Sequence, residues 1–302
     1  MTHKETIKEG LRVIKRNLPL VLIQIGVMFL SFLLFVMLVG IPVAIAIIYL
    51  GIDLVRFKET LTAVKDPIEF LYKYSGIAIF IVTTFVVYLT AVTGIALFVF
   101  GGNIAIIKDS IKDPTERFSI KHFLKEGKRY FLPLCWLTLL LGISFLIFIF
   151  VIGAIIGVAI ILLGPYKNEM IGKFMIVMAI ILGMTLLLIA FLIFLLLVAF
   201  SIYAVIALII DELRAWKAIK RSFNFIKDNF LQAIGFYLLL IMCYFVAVIL
   251  MVLINFPFSL IPLIGPIISF PFKILTYIVQ VYLGLVMMAS LVSLYMKNSV
   301  RP

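Results

Sequence analysis

Residues 211–230 read DELRAWKAIKRSFNFIKDNF, and the fold of the chain turns on where that stretch lies. Trp216, Ile219, Phe223, Ile226 and Phe230 recur at steps of three and four, which is one stripe of an α-helix. Arg214, Lys217, Lys220, Arg221 and Lys227 fall on its other faces. A charge-free apolar run from Phe174 to Ile210 precedes it, and another from Asn229 to Phe272 follows. A basic amphipathic helix between two such runs reads as a segment lying in the membrane surface.

Composition carries this reading to the whole chain. Of 302 residues 65% are hydrophobic and only 13% charged, and mean hydropathy is +1.30. A soluble domain has no use for so much apolar surface, so the class is an all-α polytopic membrane protein. Strands of an outer-membrane barrel would alternate polar and apolar residues over about ten positions, and these runs do not alternate. The net charge of +12 sits in the segments flanking the runs. Orientation in the bilayer and attraction to anionic lipid account for it there, and nucleic acid is not an expected partner. Cys135 and Cys243 stand in different runs and read as small buried apolar side chains, without a disulfide. His3 and His122 have no Cys or carboxylate cluster around them in sequence, so neither metal nor cofactor is expected.

From the N-terminus, Thr2-His3-Lys4-Glu5 has the form of a helix capping box. The helix it opens sets Ile7, Leu11, Ile14 and Leu18 on one side, with Lys4, Lys8, Arg12, Lys15 and Arg16 mostly elsewhere. The run after Asn17 is too long for a cleaved signal and predicts a retained anchor. Roughly 20 residues cross the hydrocarbon, so a first crossing is expected over 18–40, extended toward 50, with a kink or end at Gly40-Ile41-Pro42. A mixed-charge segment, 53–73, contains a helix start at Asp66-Pro67. The second run, 74–107, leads to seven bases between Lys108 and Tyr130, where Ile120, Phe123, Gly127 and Phe131 form a second amphipathic segment. The third run closes at Gly164-Pro165, and the fourth ends at Asp211. The last stretch is too long for one crossing, and Pro257, Pro262, Pro266 and Pro271 divide it. It predicts a helix over 231–256, an irregular apolar turn, and a helix over 267–296.

Six crossings follow, in one membrane domain. Nineteen of the 26 Lys and Arg fall on the side of both termini and the three basic segments, and seven on the other. The positive-inside rule then sets the termini and those segments in the cytoplasm and the chain in the plasma membrane as a multi-pass protein. Lys15-Arg16-Asn17, Lys128-Arg129-Tyr130 and Lys227-Asp228-Asn229 take corresponding places in three pseudo-repeats, approximately 1–107, 108–210 and 211–302. Each repeat is a basic interfacial helix leading into a transmembrane hairpin.

Asp211 and Glu212 closing a run, followed by Ala215, Ala218, Arg221, Ser222, Phe223 and Asn229, resemble a broad group of six-helix bacterial and archaeal membrane proteins. That group includes the membrane domain attached to some glycerophosphodiester phosphodiesterases. The match covers about 20 residues, and the phosphodiesterase chemistry belongs to a separate soluble domain for which this chain has no room. The resemblance implies an accessory or lipid-associated membrane module.

None of the 14 Asp and Glu residues falls within an expected crossing, where each would cost about 2.5–3.5 kcal/mol at a helix centre. Metalloprotease, serine-hydrolase, phosphate-loop and dithiol motifs are all absent from the sequence. No enzyme is expected. Two features remain. The bases Lys15, Arg16, Lys128, Arg129, Arg214, Lys217, Lys220, Arg221 and Lys227 could hold anionic headgroups at the cytoplasmic leaflet, or only fix topology. Lys273 with Asn255 could form an outer-side polar site, or Lys273 could simply snorkel to the interface. The leading expectation is a non-catalytic scaffold or accessory module whose partners are membrane lipids, with a homo-oligomer or another membrane partner left open. The alternative is a transporter, flippase or channel for lipid or another apolar solute.

Overall fold

The computed structural model describes residues 3–49, 75–116, 118–162, 169–259 and 265–299, and every regular element among them is helical. These are α1 (His3–Arg16), α2 (Pro19–Phe35), a π-helical turn (Val36–Gly40), α3 (Ile41–Tyr49), α4 (Ser75–Lys112), α5 (Ile120–Leu162), α6 (Glu169–Ile210), α7 (Ala215–Asp228), α8 (Phe230–Ser259) and α9 (Gly265–Ser299). Thr2, the 53–73 segment with Asp66-Pro67, Arg117, Gly164-Pro165, Pro262 and Arg301 lie outside the described residues.

Six of the described helices are long and apolar enough to cross a membrane: Pro19–Ile48, Ser75–Lys112, Ile120–Val158, Ile180–Ile210, Phe230–Pro257 and Ser269–Ser299. The chain is therefore a multi-pass helical membrane protein by length and composition. It divides into two compact units, 18–100 and the remainder, 1–17 with 101–302. In the smaller unit Phe35 meets Tyr88 edge-on at 5.5 Å between ring centroids. In the larger, α1 packs on α9, α8 on α9, and α7 on α6 and α5.

Three details bear on the expectations. At Gly40-Ile41-Pro42 the first crossing is interrupted and not ended, and it extends toward 50 as expected. It runs on through the π turn, where the Ile41 N–H bonds the Val36 carbonyl five residues back. Widening the turn lets the helix absorb the N–H that Pro42 lacks. Near the end, Pro257 sits in the last turn of α8 and Pro271 inside α9, with Pro266 one residue past its start, while Pro262 and the rest of 260–264 lie outside the described residues. A proline in a first turn removes no helical bond, and one near an end removes a single bond. Finally, the basic segment over 120–131 is no separate helix but the opening of α5.

The corresponding tripeptides explain that last difference. Asn17 and Asn229 end α1 and α7, and each side-chain amide donates to the carbonyl four residues back, Val13 at 2.9 Å and Phe225 at 3.2 Å. Asparagine competes with helical bonding in this way. Tyr130, after Lys128-Arg129 in α5, has no side-chain amide to compete in this way, and the helix passes through it.

The faces that α1 and α7 bury are also unexpected. On α7 the buried residues are Ala215, Ala218, Ser222 and Phe225, while Trp216 and Phe223 are exposed. On α1 they are Thr6, Gly10, Val13 and Ile14, while Leu11 is exposed. At 100° per residue, the buried stripe of α7 lies about 100° around the helix from its large apolar stripe. Thr6, Gly10, Ala215, Ala218 and Ser222 on these faces are small, which lets backbones approach closely. An ideal Cβ on Gly10 would stand 2.3 Å from the Ser290 hydroxyl oxygen.

Candidate functional site

The described side chains converge most on the corner 211–214, between α6 and α7. Helix α6 closes with the Leu213 N–H reaching the Leu208 carbonyl at 3.1 Å. That closure needs a left-handed residue before Leu213, and Glu212 supplies it with φ of 52°. Left-handed backbone costs an L-residue other than glycine about 1–2 kcal/mol, so a glutamate needs a reason to be there. Its carboxylate gives one. Oε1 lies 3.4 Å from Lys108 Nζ on α4, and Oε2 lies 2.7 Å from Arg129 Nη2 on α5.

Neighbouring groups complete the corner. The Ile209 carbonyl, in the last turn of α6, accepts from Lys108 Nζ at 3.2 Å and from the Tyr130 hydroxyl at 3.3 Å. Asp211 accepts from Arg221 Nε at 3.3 Å and from the Tyr295 hydroxyl at 2.6 Å. Two consecutive carboxylates thus tie α4, α5, α7 and α9 to the end of α6. A second tether joins α1 to α9, where Glu9 accepts from Ser293 at 2.5 Å and pairs with Lys297. His122 Nε2 lies 2.9 Å from an Asp109 carboxylate oxygen.

Both glutamates titrate low. Burial pushes the Glu9 carboxyl up, but hydrogen bonds from Lys297 and Ser293 and the charges of Lys297 and Arg12 outweigh it, leaving it below its ordinary 4.5. Burial acts likewise on Glu212, and Lys108 and Arg129 again win. A carboxyl with a depressed folded pKa adds stability that is present above its unfolded pKa and is lost as pH falls through the folded value. The melting temperature of the detergent-solubilised protein is therefore expected to fall as pH drops below about 4.5. The double variant Glu9→Gln, Glu212→Gln should melt lower at neutral pH and show a flatter acid limb. An acid limb as steep as the parent's would assign the loss to other groups.

The nine bases singled out from sequence divide in two. Arg16 donates to the carbonyls of Pro114 and Ser110 at 2.6 and 3.2 Å. Arg129 is held by Glu212 and Glu126, and Arg221 by Asp211 and the Ser299 carbonyl. These three arginines serve the protein itself. Lys15, Lys128, Arg214, Lys217, Lys220 and Lys227 are exposed and form no ion pair among the described residues. Lys273 is exposed on α9, and Asn255 is half-buried on α8, its side-chain oxygen without a hydrogen-bond partner among the described residues. No hydrogen bond joins that pair among the described residues, and the acids of 53–69 lie outside them.

An open groove of about 820 Å³ runs from this corner along α5. Arg129, Glu212 and Arg214 line it beside the corner, and Leu132, Trp136 and Leu139 follow in turn along α5. Cys135 lines it as a free thiol, and Cys243, exposed on α8, is free too. Among the described residues no three His, Cys, Asp or Glu side chains gather in a metal-binding group.

A domain of unknown function, DUF7847, matches residues 1–298 and so spans both compact units. The chain belongs to the DUF7847 family. Neither a curated protein nor a solved structure matches it. Membership in DUF7847 brings no activity with it, and no link to the phosphodiesterase-associated group. In this DUF7847 chain the tethers Lys108, Tyr130, Tyr295 and Glu9 escaped sequence reasoning. Only Lys108 carried a signal, as the first charge after an apolar run.

Proposed function

We propose that this DUF7847 protein is a non-catalytic, lipid-associated scaffold or accessory module of the plasma membrane, with both termini cytoplasmic. In this reading α1, the start of α5 and α7 lie at the inner leaflet as three pseudo-repeated basic segments. The supporting observation is the offset of buried and exposed stripes, clearest on α7. Three of its four buried residues are small, α1 buries Thr6 and Gly10 beside Val13 and Ile14, and Leu11, Trp216 and Phe223 remain exposed beside lysines that form no ion pair among the described residues. A helix seated only by its contacts with the protein would bury its largest apolar residues instead. One with a protein side, an apolar side and a basic side suits the junction of bundle, acyl chains and headgroups. Each base near an anionic leaflet adds about 1 kcal/mol before losses.

The test is the lipid that travels with the full-length protein through mild-detergent purification. Anionic phospholipid should be enriched several-fold over its share of the source membrane. The enrichment should fall when Lys15, Lys217, Lys220 and Lys227 are changed together to Gln. A co-purified pool matching the bulk membrane would defeat the proposal.

One observation favours the alternative of a transporter, flippase or channel. A second groove, of about 790 Å³, runs between 148–156 of α5 and 180–193 of α6. It has no polar side chain in its lining, which suits an acyl chain or a neighbouring helix better than the passage of a headgroup. Lipid scrambling by proteoliposomes at rates well above protein-free vesicles would decide for the alternative.

A further inference from the structure

We propose that the groove beside the 211–214 corner is the seat of one anionic phospholipid, its phosphate at Arg214 and its acyl chains along Leu132, Trp136 and Leu139. This rests on the lipid-associated reading above and narrows it to a single site.

Polarity changes along the groove as it does along a phospholipid. Arg129, Glu212 and Arg214 stand at one end. Ten residues further along α5, about 15 Å at the helical rise, stands Leu139, with Leu132 and Trp136 between. The charged end has a positive surplus. Glu212 is a single carboxylate already shared by Lys108 and Arg129, and Arg214 forms no ion pair among the described residues. A phosphate diester, with one negative charge, complements that rim. A zwitterionic headgroup would bring a cation to a place with no spare acid.

The backbone adds polar capacity at the same end. Arg214 is the N-cap of α7 and makes no side-chain cap, and the first turn of α7 has no acidic residue. Among the described residues the N–H groups of that turn have no side-chain cap beside Arg214, where helix geometry favours an anion. Pro133, in the groove wall, has no N–H for the Arg129 carbonyl four residues back.

Tryptophan marks the level. Trp136 and Trp216 are the chain's two tryptophans, they stand on different helices, and both line this groove. They are 60% and 71% exposed. Indole belongs at the border of headgroups and acyl chains, its ring among the chains and its N–H toward water.

The two tryptophans make the site its own reporter, because all indole emission arises from its walls. The full-length protein is reconstituted in phosphatidylcholine nanodiscs containing a rising fraction of dibrominated phosphatidylglycerol or, in parallel, dibrominated phosphatidylcholine. Half-maximal quenching is expected at an about fivefold lower mole fraction of the anionic lipid, the effect of roughly one base–phosphate contact. Arg214→Ala should bring the two curves together without lowering the melting temperature, since the side chain caps nothing. Lys227→Ala removes the same charge about 20 Å further along α7 and should keep the preference.

Coincident curves in the parent protein overturn the proposal. So does loss of the preference in Lys227→Ala equal to that in Arg214→Ala, which would make it a property of the whole basic surface. Absence of quenching by either lipid, in a protein that elutes as a dimer, would give the groove to a second copy and overturn it as well. Anionic lipid that co-purifies with the protein while the curves coincide defeats this site alone and leaves the scaffold reading standing.

Discussion

Phe225→Ala is expected to destabilise the larger unit by about 3–5 kcal/mol, the usual cost of removing a buried phenyl ring, and to loosen α7 from its seat. The side chain is 6% exposed, and its ring centroid lies 5.1 Å from that of Tyr203 and 4.7 Å from that of Tyr295. Those tyrosines are themselves fully buried and committed, Tyr203 to the Ala233 carbonyl at 3.0 Å and Tyr295 to Asp211. Neither can turn into the space the phenyl leaves. The other buried residues of α7, Ala215, Ala218 and Ser222, are small, so Phe225 alone supplies its large protein-facing contact. The measurement is trypsin cleavage at Lys217 and Lys220, which requires the helix to open, together with the melting temperature in detergent. Phe223→Ala is the control. That ring is 61% exposed, and its loss should leave both readings close to the parent's. Equal effects from the two variants would mean that α7 is seated by the stripe read from sequence, and the argument for a lipid-facing side would go with it.

That contrast shows where sequence reading stops. The six crossing helices were legible, because charge-free runs longer than roughly 20 residues have few other fates. The short helices α1 and α7 were legible too. Which face of α7 meets the protein was not. Periodicity finds the largest apolar stripe, and in a membrane two kinds of surface compete for it. Trp216 and Phe223 stay exposed, while tight helix contact selects Ala215, Ala218 and Ser222. The corner at Glu212 was half legible. Asp211 and Glu212 stood out as acids closing an apolar run, but a left-handed glutamate is legible only from partners over 80 and 100 residues away in sequence, Arg129 and Lys108. The division between Arg214, with no ion pair among the described residues, and Arg129 or Arg221, used by the fold, has the same origin. All three are arginines near one turn, and only the positions of carboxylates on other helices separate them.

Gly10→Leu is expected to lift α1 off α9. Even the first atom of a side chain has no room. An ideal Cβ would stand 2.3 Å from the Ser290 hydroxyl oxygen and 3.0 Å from both the Ser290 nitrogen and the Val286 carbonyl oxygen. The hydroxyl, now donating to the Val286 carbonyl at 2.8 Å, could rotate away, but the two backbone atoms belong to the interior of α9 and cannot. Gly10→Ala should therefore cost about 1–3 kcal/mol, as overpacking does. Leucine should force the helices apart, exposing Val13 and Ile14 and stretching the Glu9 tether to Lys297 and Ser293. Hydrogen exchange of the α1 amides reports the change directly, with protection expected to drop across residues 6–14 while that of α8 is retained. Gly26→Ala in α2 gives the opposite sign. No atom of the described residues lies within 4 Å of its Cβ position, and replacing a mid-helix glycine by alanine favours the helix by about 0.5–1 kcal/mol. If Gly10→Ala were as harmless as Gly26→Ala, α1 would not be resting on α9. Its exposed leucine and its bases would then hang from a tether, not from a packed seat, and an inner-leaflet anchor built on α1 would lose its rigid half.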